Sequence, residues 1–225
     1  MPPIVNLQFA KNAMTNFIPI FPLSLVVYPG EKVNLHIFEP RYKQLINECF
    51  EKKKPFGIPV VINNKVNELG TLLEITEISK VYDSGEMDIQ TRGQKIFRVL
   101  EFINEIPDKL YSGAIVNYPS NSHQGRREIM RQIIASIKEL HRLLNISKPF
   151  SKDEKELNSY DVAHHAGLNI SEEYEFLALT QELQRQEYLK RHLARVLPVV
   201  EEMEQLKEKV KLNGHFKNIS GFNIS

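Results

Sequence analysis

The heptapeptide HIFEPRY, residues 36–42, marks a change of hydrophobic period. Upstream of it, Val33, Leu35 and Ile37 alternate with Asn34 and His36, the period-two pattern of a strand with one wet face. Downstream, Tyr42, Leu45, Ile46, Cys49 and Phe50 fall at i, i+3, i+4, i+7 and i+8, which is one face of a helix. Pro40 stands in the first helical turn, where a residue without an N–H is welcome. Glu39 lies beside the positive end of the helix. The chain must therefore turn a strand into a helix here, and Arg41 is placed to tie that corner to another element.

The flanking segments extend the β reading. Phe21 to Tyr28 is apolar and β-rich. Tyr28-Pro29-Gly30-Glu31 fits a type II turn, with proline presetting φ at the second position and glycine accepting a positive φ at the third. Lys52-Lys53-Lys54-Pro55 ends the helix. Phe56–Ile62 reads as a strand, Asn63-Asn64-Lys65 as a turn, and Gly70–Tyr82 as a long strand. Tyr82–Glu86 reads as a hairpin connection. Met87–Gln90 and Lys95–Phe102 are a strand pair or one strand bent at Gly93. Tyr111–Tyr118 is the last of about six or seven strands, a number that with one helix suggests a barrel or coiled sheet.

Near Pro119 the pattern becomes helical. Ile129, Ile133, Ile137, Leu140 and Leu144 repeat at three and four. A polar linker, 144–158, precedes a short helix that Ser159 is placed to cap, with Gly167 as its stop. Asn169 and Glu172 resemble a capping box. The last helix is expected from Arg185 to Leu212, with Leu189, Leu193, Val196, Val200, Met203 and Val210 on a heptad-like course. A kink is expected at Pro198 and a stop at Asn213-Gly214. A short polar tail follows, in which Phe216 and Phe222 are candidates to dock. The fold class is α+β, with a β-rich unit over 1–119 and a helical bundle over 120–225.

Charge and motif content narrow the function. The 29 basic and 28 acidic residues of the 225 nearly cancel, which argues against binding nucleic acid mainly through phosphates. The single cysteine, Cys49, excludes an internal disulfide and a cysteine-based zinc site. It reads as a buried, inert thiol. IPIFPLSLVV (18–27) contains two prolines and runs into Tyr-Pro-Gly, so it is not read as a signal peptide. No stretch approaches the roughly 20 apolar residues that span a bilayer. The chain is read as cytoplasmic, with no membrane partner. Phosphate loops, G-x-G-x-x-G and G-x-S-x-G are absent. His164 and His165 are adjacent, so they diverge on a helix and do not chelate one metal. Lys190, Arg191, His192 and Arg195 form a modest basic cluster, read as a solvated face. The recurrent Asn-Ile-Ser at 145, 169, 218 and 223 is read as chance and local capping. No catalytic, cofactor or metal site is read.

With these residues in hand, FPLSLVVYPGEKVNLHIFEPRYKQLI (21–46) resembles the opening of the LON substrate-binding domain, the N-terminal domain of Lon proteases. The matching residues are Phe21, Pro22 and Leu23, then Pro29 and Gly30, then Phe38, Glu39, Pro40, Arg41 and Tyr42. Gly70 opens a segment, GTLLEI, similar to the family's Gly-initiated strand. Gly93 lies in TRGQKIFRV, which has Ile96 where the family usually has arginine and keeps Phe97. The resemblance covers roughly residues 17–212, and the chain stops before the ATPase and Ser-Lys protease modules of a full Lon protease. It resembles a stand-alone bacterial LON domain protein. The resemblance implies a PUA-like pseudobarrel followed by a helical bundle. It also implies a proteolysis-associated module that recognises unfolded or extended polypeptide, or a partner protein, without catalysis or cofactor. A separate protease is a further candidate partner, and a PUA-like RNA-binding protein is the alternative. The signature residues are read as structural. Tyr28, Tyr82 and Tyr111 are the candidate peptide contacts, as aromatics expected to be exposed near the junction of barrel and bundle.

Overall fold

The computed structural model describes residues 16–219, with side chains through residue 211. The elements run β1 (Asn16–Pro19), β2 (Lys32–Ile37), α1 (Pro40–Glu51), β3 (Phe56–Ile62), β4 (Lys65–Val81), β5 (Met87–Ile103) and β6 (Gly113–Asn117). They continue as α2 (Arg127–Leu143), α3 (Ser159–Val162) with a 3-10 turn (Ala163–His165), α4 (Ile170–Leu177) and α5 (Glu182–Ile219). The architecture is mixed α+β, a six-stranded antiparallel sheet followed by helices. The chain divides into two compact units. The first holds the residues up to 121 together with 169–180, so it includes α4. The second holds 122–168 together with 181 onward.

In the first unit the sheet order is β1-β6-β5-β4-β3, with β2 added on β5. β5 is the spine, because it pairs with β2, β4 and β6. The alternatives left open around Gly93 resolve to one 17-residue strand. Its register against β4 shifts at three places, one of them Leu72/Leu73 opposite Gly93. β4 begins at Lys65, earlier than the sequence suggested, because Asn63 and Asn64 both take positive φ, 51° and 60°. That is the geometry of a two-residue hairpin turn whose twist matches the strands it joins.

Phe21–Tyr28, expected as a strand, is not one. It holds isolated parallel bridges to β3, with Phe21 N donating to Gly57 O at 2.7 Å and Val61 N to Leu23 O at 2.8 Å. Pro22 has no N–H to give, so a continuous ladder cannot form through it. The segment ends in the expected turn. Gly30 has φ +87°, and Glu31 N donates to Tyr28 O at 3.1 Å. The turn then docks on β5, with Gly30 N donating to Gly93 O and Gly93 N to Glu31 O, both at 2.8 Å.

α1 starts at Pro40 and buries Tyr42, Leu45, Ile46 and Cys49. Phe50, expected on the same face, is 43% exposed. The buried face joins Phe21, Phe56, Leu73 and Ile89 in one core. There the Phe21 and Tyr42 rings stack with centroids 3.8 Å apart. Burial pushes the Cys49 thiol up to about 11, so it is neutral at pH 7. A second core gathers Ile18, Ile20, Leu72, Phe97, Val99 and Val116.

In the second unit α2 buries Ile133, Ile137 and Leu140, and α5 buries Leu189 and Leu193. The cap of α3 is Asn158 and not Ser159. Asn158 Oδ1 accepts from Tyr160 N and Asp161 N, and Asp161 returns a bond to Asn158 N at 2.9 Å. Ser159 turns inward instead, donating to Glu182 Oε2 at 2.7 Å. Arg185, fully buried, closes this network. It donates to Glu182 and to Ser122 O at 2.9 Å each, and lies 4.1 Å over the Tyr160 ring. Asn169 and Glu172 form the expected capping box of α4.

α5 is longer than expected at both ends and runs unbroken through Pro198 and Gly214. A lone helical glycine costs only about 1 kcal/mol relative to alanine, which does not stop a helix by itself. The side chain of Phe216 and all of Phe222 lie outside the described residues, as does the Asn-Ile-Ser at 223. Among the described residues no helix is long and apolar enough to cross a membrane.

Two substitutions test these supports. A Cβ at Gly93 would lie 2.4 Å from Tyr28 O, a backbone atom that cannot rotate away. Gly93→Ala is expected to lower unfolding free energy by about 2 kcal/mol in urea titration, as overpacking does. Arg185→Met leaves the Glu182 carboxylate buried without its cation, and about 3 kcal/mol should be lost. Retention of wild-type midpoints by either variant would contradict the corresponding contact.

Candidate functional site

Alternation along β2 sends Val33, Leu35 and Ile37 toward the core and leaves Lys32, Asn34 and His36 exposed. Phe38 follows two residues after His36 and is 59% exposed. The β2–β5 register sets His36 opposite Asp88. His36 Nδ1 donates to Asp88 Oδ1 at 2.7 Å, and the other carboxylate oxygen accepts from Tyr82 OH at 2.7 Å. These two bonds, His36 first, hold the Asp88 carboxyl below the usual carboxylate range. His36 Nε2 lies 3.5 Å from Glu86. The His36 ring stacks with Phe38 (centroids 6.2 Å, 25°) and meets Tyr82 edge-on (5.8 Å, 82°). Lys80 Nζ sits 4.2 Å over the Tyr82 ring. An exposed aromatic thus lies beside a hydrogen-bonded histidine, at the end of a strand with one open edge. Among the described residues β2 pairs only with β5.

The corner below this patch is fixed locally. Glu39 O accepts from Tyr42 N and Lys43 N, both at 3.0 Å. Arg41 folds back onto Glu39 Oε2 at 2.6 Å and lies 4.7 Å from the Tyr42 ring centroid. The expected tie from Arg41 to another element is replaced by this self-contained pair, because a carboxylate two residues away is nearer than any distant acceptor. Lys43 makes the distant tie, donating to Ser84 O in the β4–β5 hairpin at 3.1 Å.

The other sequence-selected residues fall elsewhere. Pro29, Gly30 and Gly93 meet in the turn-to-β5 contact, and Gly70 packs against Phe97 and Ile58 O. Tyr28 is not exposed as expected. It has no solvent-accessible surface, its ring meets Phe176 of α4 edge-on at 5.5 Å, and its hydroxyl donates to Glu173 O at 3.5 Å. Tyr111 is also buried. Its hydroxyl donates to Glu48, which Lys109 grips at 2.8 Å through both oxygens. Only Tyr82 of the three tyrosines belongs to a surface cluster. His36, Asp88 and the exposure of Phe38 escaped sequence reading. The single available signal was the outward phase of His36 on β2, since the partner Asp88 is set by a long-range register.

The second unit carries a cleft of about 1070 Å3 between α2 and the 150–158 segment, lined by Met130, Ile134, Phe150 and Leu157 with Arg127 and Arg131. Among the described residues no hydroxyl or thiol side chain lines it. His165 is buried against His141 and Phe150, and desolvation pushes it down to about 4, so it is neutral at pH 7. Its Nδ1 finds no hydrogen-bond partner among the described residues. Among the described residues no group of three or more His, Cys, Asp or Glu is placed to hold a metal ion.

The family described as ATP-dependent protease La (LON) substrate-binding domain matches residues 18–210. A LON peptidase N-terminal domain and RING finger protein of Schizosaccharomyces pombe is 28% identical over 106 residues, 39% of this chain. The match spans about a fifth (21%) of that protein's length. The crystal structure of a Lon N-terminal domain protein from Xanthomonas campestris superposes with TM-score 0.59 at 23% identity, covering 77% of this chain and 96% of that one. The N-terminal domain of Mycobacterium avium complex Lon protease gives TM-score 0.58 at 13% identity, covering 80% and 98%. No ATPase or protease domain is matched over the chain. With 193 of its 225 residues inside the family match, the chain belongs to the LON substrate-binding domain family.

Proposed function

We propose that this protein is a non-catalytic recognition module that takes an extended or unfolded polypeptide along the open edge of β2, with Phe38 as its aromatic anchor. The observation that carries the reading is the 59% exposure of Phe38 beside a His36 ring pinned by Asp88. An aromatic held out in water by its neighbours loses little freedom when a partner covers it, which favours binding over burial in its own fold. An added strand supplies main-chain hydrogen bonds, and the aromatic supplies side-chain selectivity. The family name speaks of substrate binding, and a polypeptide delivered to a separate protease is the substrate class that fits. The bridges from Ile20 and Leu23 to β3 support reading the sheet as a pseudobarrel, with the helices after residue 119, α4 apart, as a second domain.

Fluorescence anisotropy with a labelled, permanently unfolded casein tests this. Wild type should bind, and Phe38→Ser should weaken binding about tenfold, the cost of a lost aromatic anchor. An unchanged melting temperature would show that the fold is intact, since Phe38 is more exposed than buried and belongs to neither core. Equal binding by Phe38→Ser, or no binding by wild type, overturns the proposal. Retention of RNA on filters with a steep negative salt slope would favour the nucleic-acid alternative.

A further inference from the structure

The C-terminal half of α5 shows a feature that peptide recognition on β2 does not use. Val199, Met203, Leu206 and Val210 are 54%, 54%, 62% and 63% exposed. Their spacing of four, three and four places them within one narrow line along the helix, the a/d seam of a coiled coil. Away from this line, Glu201, Glu204, Gln205 and Glu208, with Lys209 at the margin, line a shallow groove with Leu143 at the end of α2. Two charges flank the same side of the exposed line seven residues apart, Glu202 and Lys209. Neither makes an ion pair or hydrogen bond among the described residues, whereas Lys207 and Lys211 are paired with Glu204 and Glu208.

We infer that this line is the docking surface for α5 of a second copy of this chain, running antiparallel. In that register Met203 meets Leu206 of the partner copy, and Val199 meets Val210. The flanking positions then bring Glu202 of each copy against Lys209 of the other, so two unpaired opposite charges find partners at both ends of the seam. The direction follows from the same helix. Traced toward its N-terminus, the line reaches His192, which is 5% exposed and bonded to Ala166 O at 3.1 Å, and Leu189, fully buried. There the helix is covered by its own unit. A parallel partner would bring the coverings of both copies against each other, whereas an antiparallel partner sets them at opposite ends. The seam is two heptads long, so association is weak and concentration-dependent.

The test uses the full chain. Cys49 is buried and its thiol neutral, so it serves as a silent background. Val199→Cys and Val210→Cys proteins, oxidised separately and as a mixture at about 100 μM, are compared on a non-reducing gel. The expected result is a disulfide dimer in the mixture and at least tenfold less in either protein alone. Sedimentation equilibrium should show wild type dimerising, Glu202→Lys dimerising about tenfold more weakly, and Glu202→Lys with Lys209→Glu restored. Equal crosslinking of each variant alone, or a wild type that stays monomeric at that concentration, overturns the inference. So does a charge swap without rescue.

Discussion

The first unit depends on one backbone contact, the seating of the Pro29-Gly30 turn on Gly93. Two hydrogen bonds of 2.8 Å join the turn to β5, and Tyr28 O comes so close that no side chain fits between. The contact sets where β2 begins along β5, because Lys32 pairs with Arg92 right after it. A one-residue slip there would move His36 and Ile37 to opposite faces. The core under α1 and the aromatic patch above it are thus both consequences of the same docking. The three signature residues involved act as one joint, although 63 positions separate Gly30 from Gly93 in the chain.

The same contact explains why Tyr28 is interior. With its carbonyl on β5 and its amide bonded to Glu31 Oε2, the residue cannot swing outward. α4 then closes over it through Phe176 and Glu173. Helix α4 belongs to the first unit, while the segments before and after it belong to the second. Tyr174 adds a further tie, its hydroxyl accepting from Leu69 N at 3.3 Å. An aromatic next to a Pro-Gly turn usually invites a surface reading. Here a helix more than 140 residues downstream covers it.

Local rules read well wherever the deciding neighbours are close in sequence. The switch of period at Pro40, the type II turn at Pro29-Gly30 and the Asn169–Glu172 box all depend on residues within a few positions. Ser159 misled because it is a good cap residue one place from a better one. Its hydroxyl was claimed by Glu182, 23 residues away. α5 runs past its expected stop at Asn213-Gly214 because a long helix absorbs one glycine, as it absorbs Pro198. The candidate site was the least legible part. His36, Asp88 and Tyr82 are joined only by the register of β2 on β5 and by the β4–β5 hairpin. No spacing rule encodes a pairing across 52 residues.

The two exposed apolar features differ in how they are held, and the difference bears on what each suits. Phe38 is a single exposed ring beside a histidine that is itself held by a carboxylate which also holds Tyr82. A polar-framed aromatic at a strand edge would suit partners of varied sequence, since main-chain bonds along an edge do not depend on the side chains of the strand that is added. The α5 line is instead four aliphatic side chains at fixed helical spacing, with one acid and one base at its side. A surface that repeats its own complement in reverse order is specific by construction, because only another helix with the same spacing and the opposite charge order meets every position. On the readings proposed above, one surface would suit many chains and the other a second copy of this one.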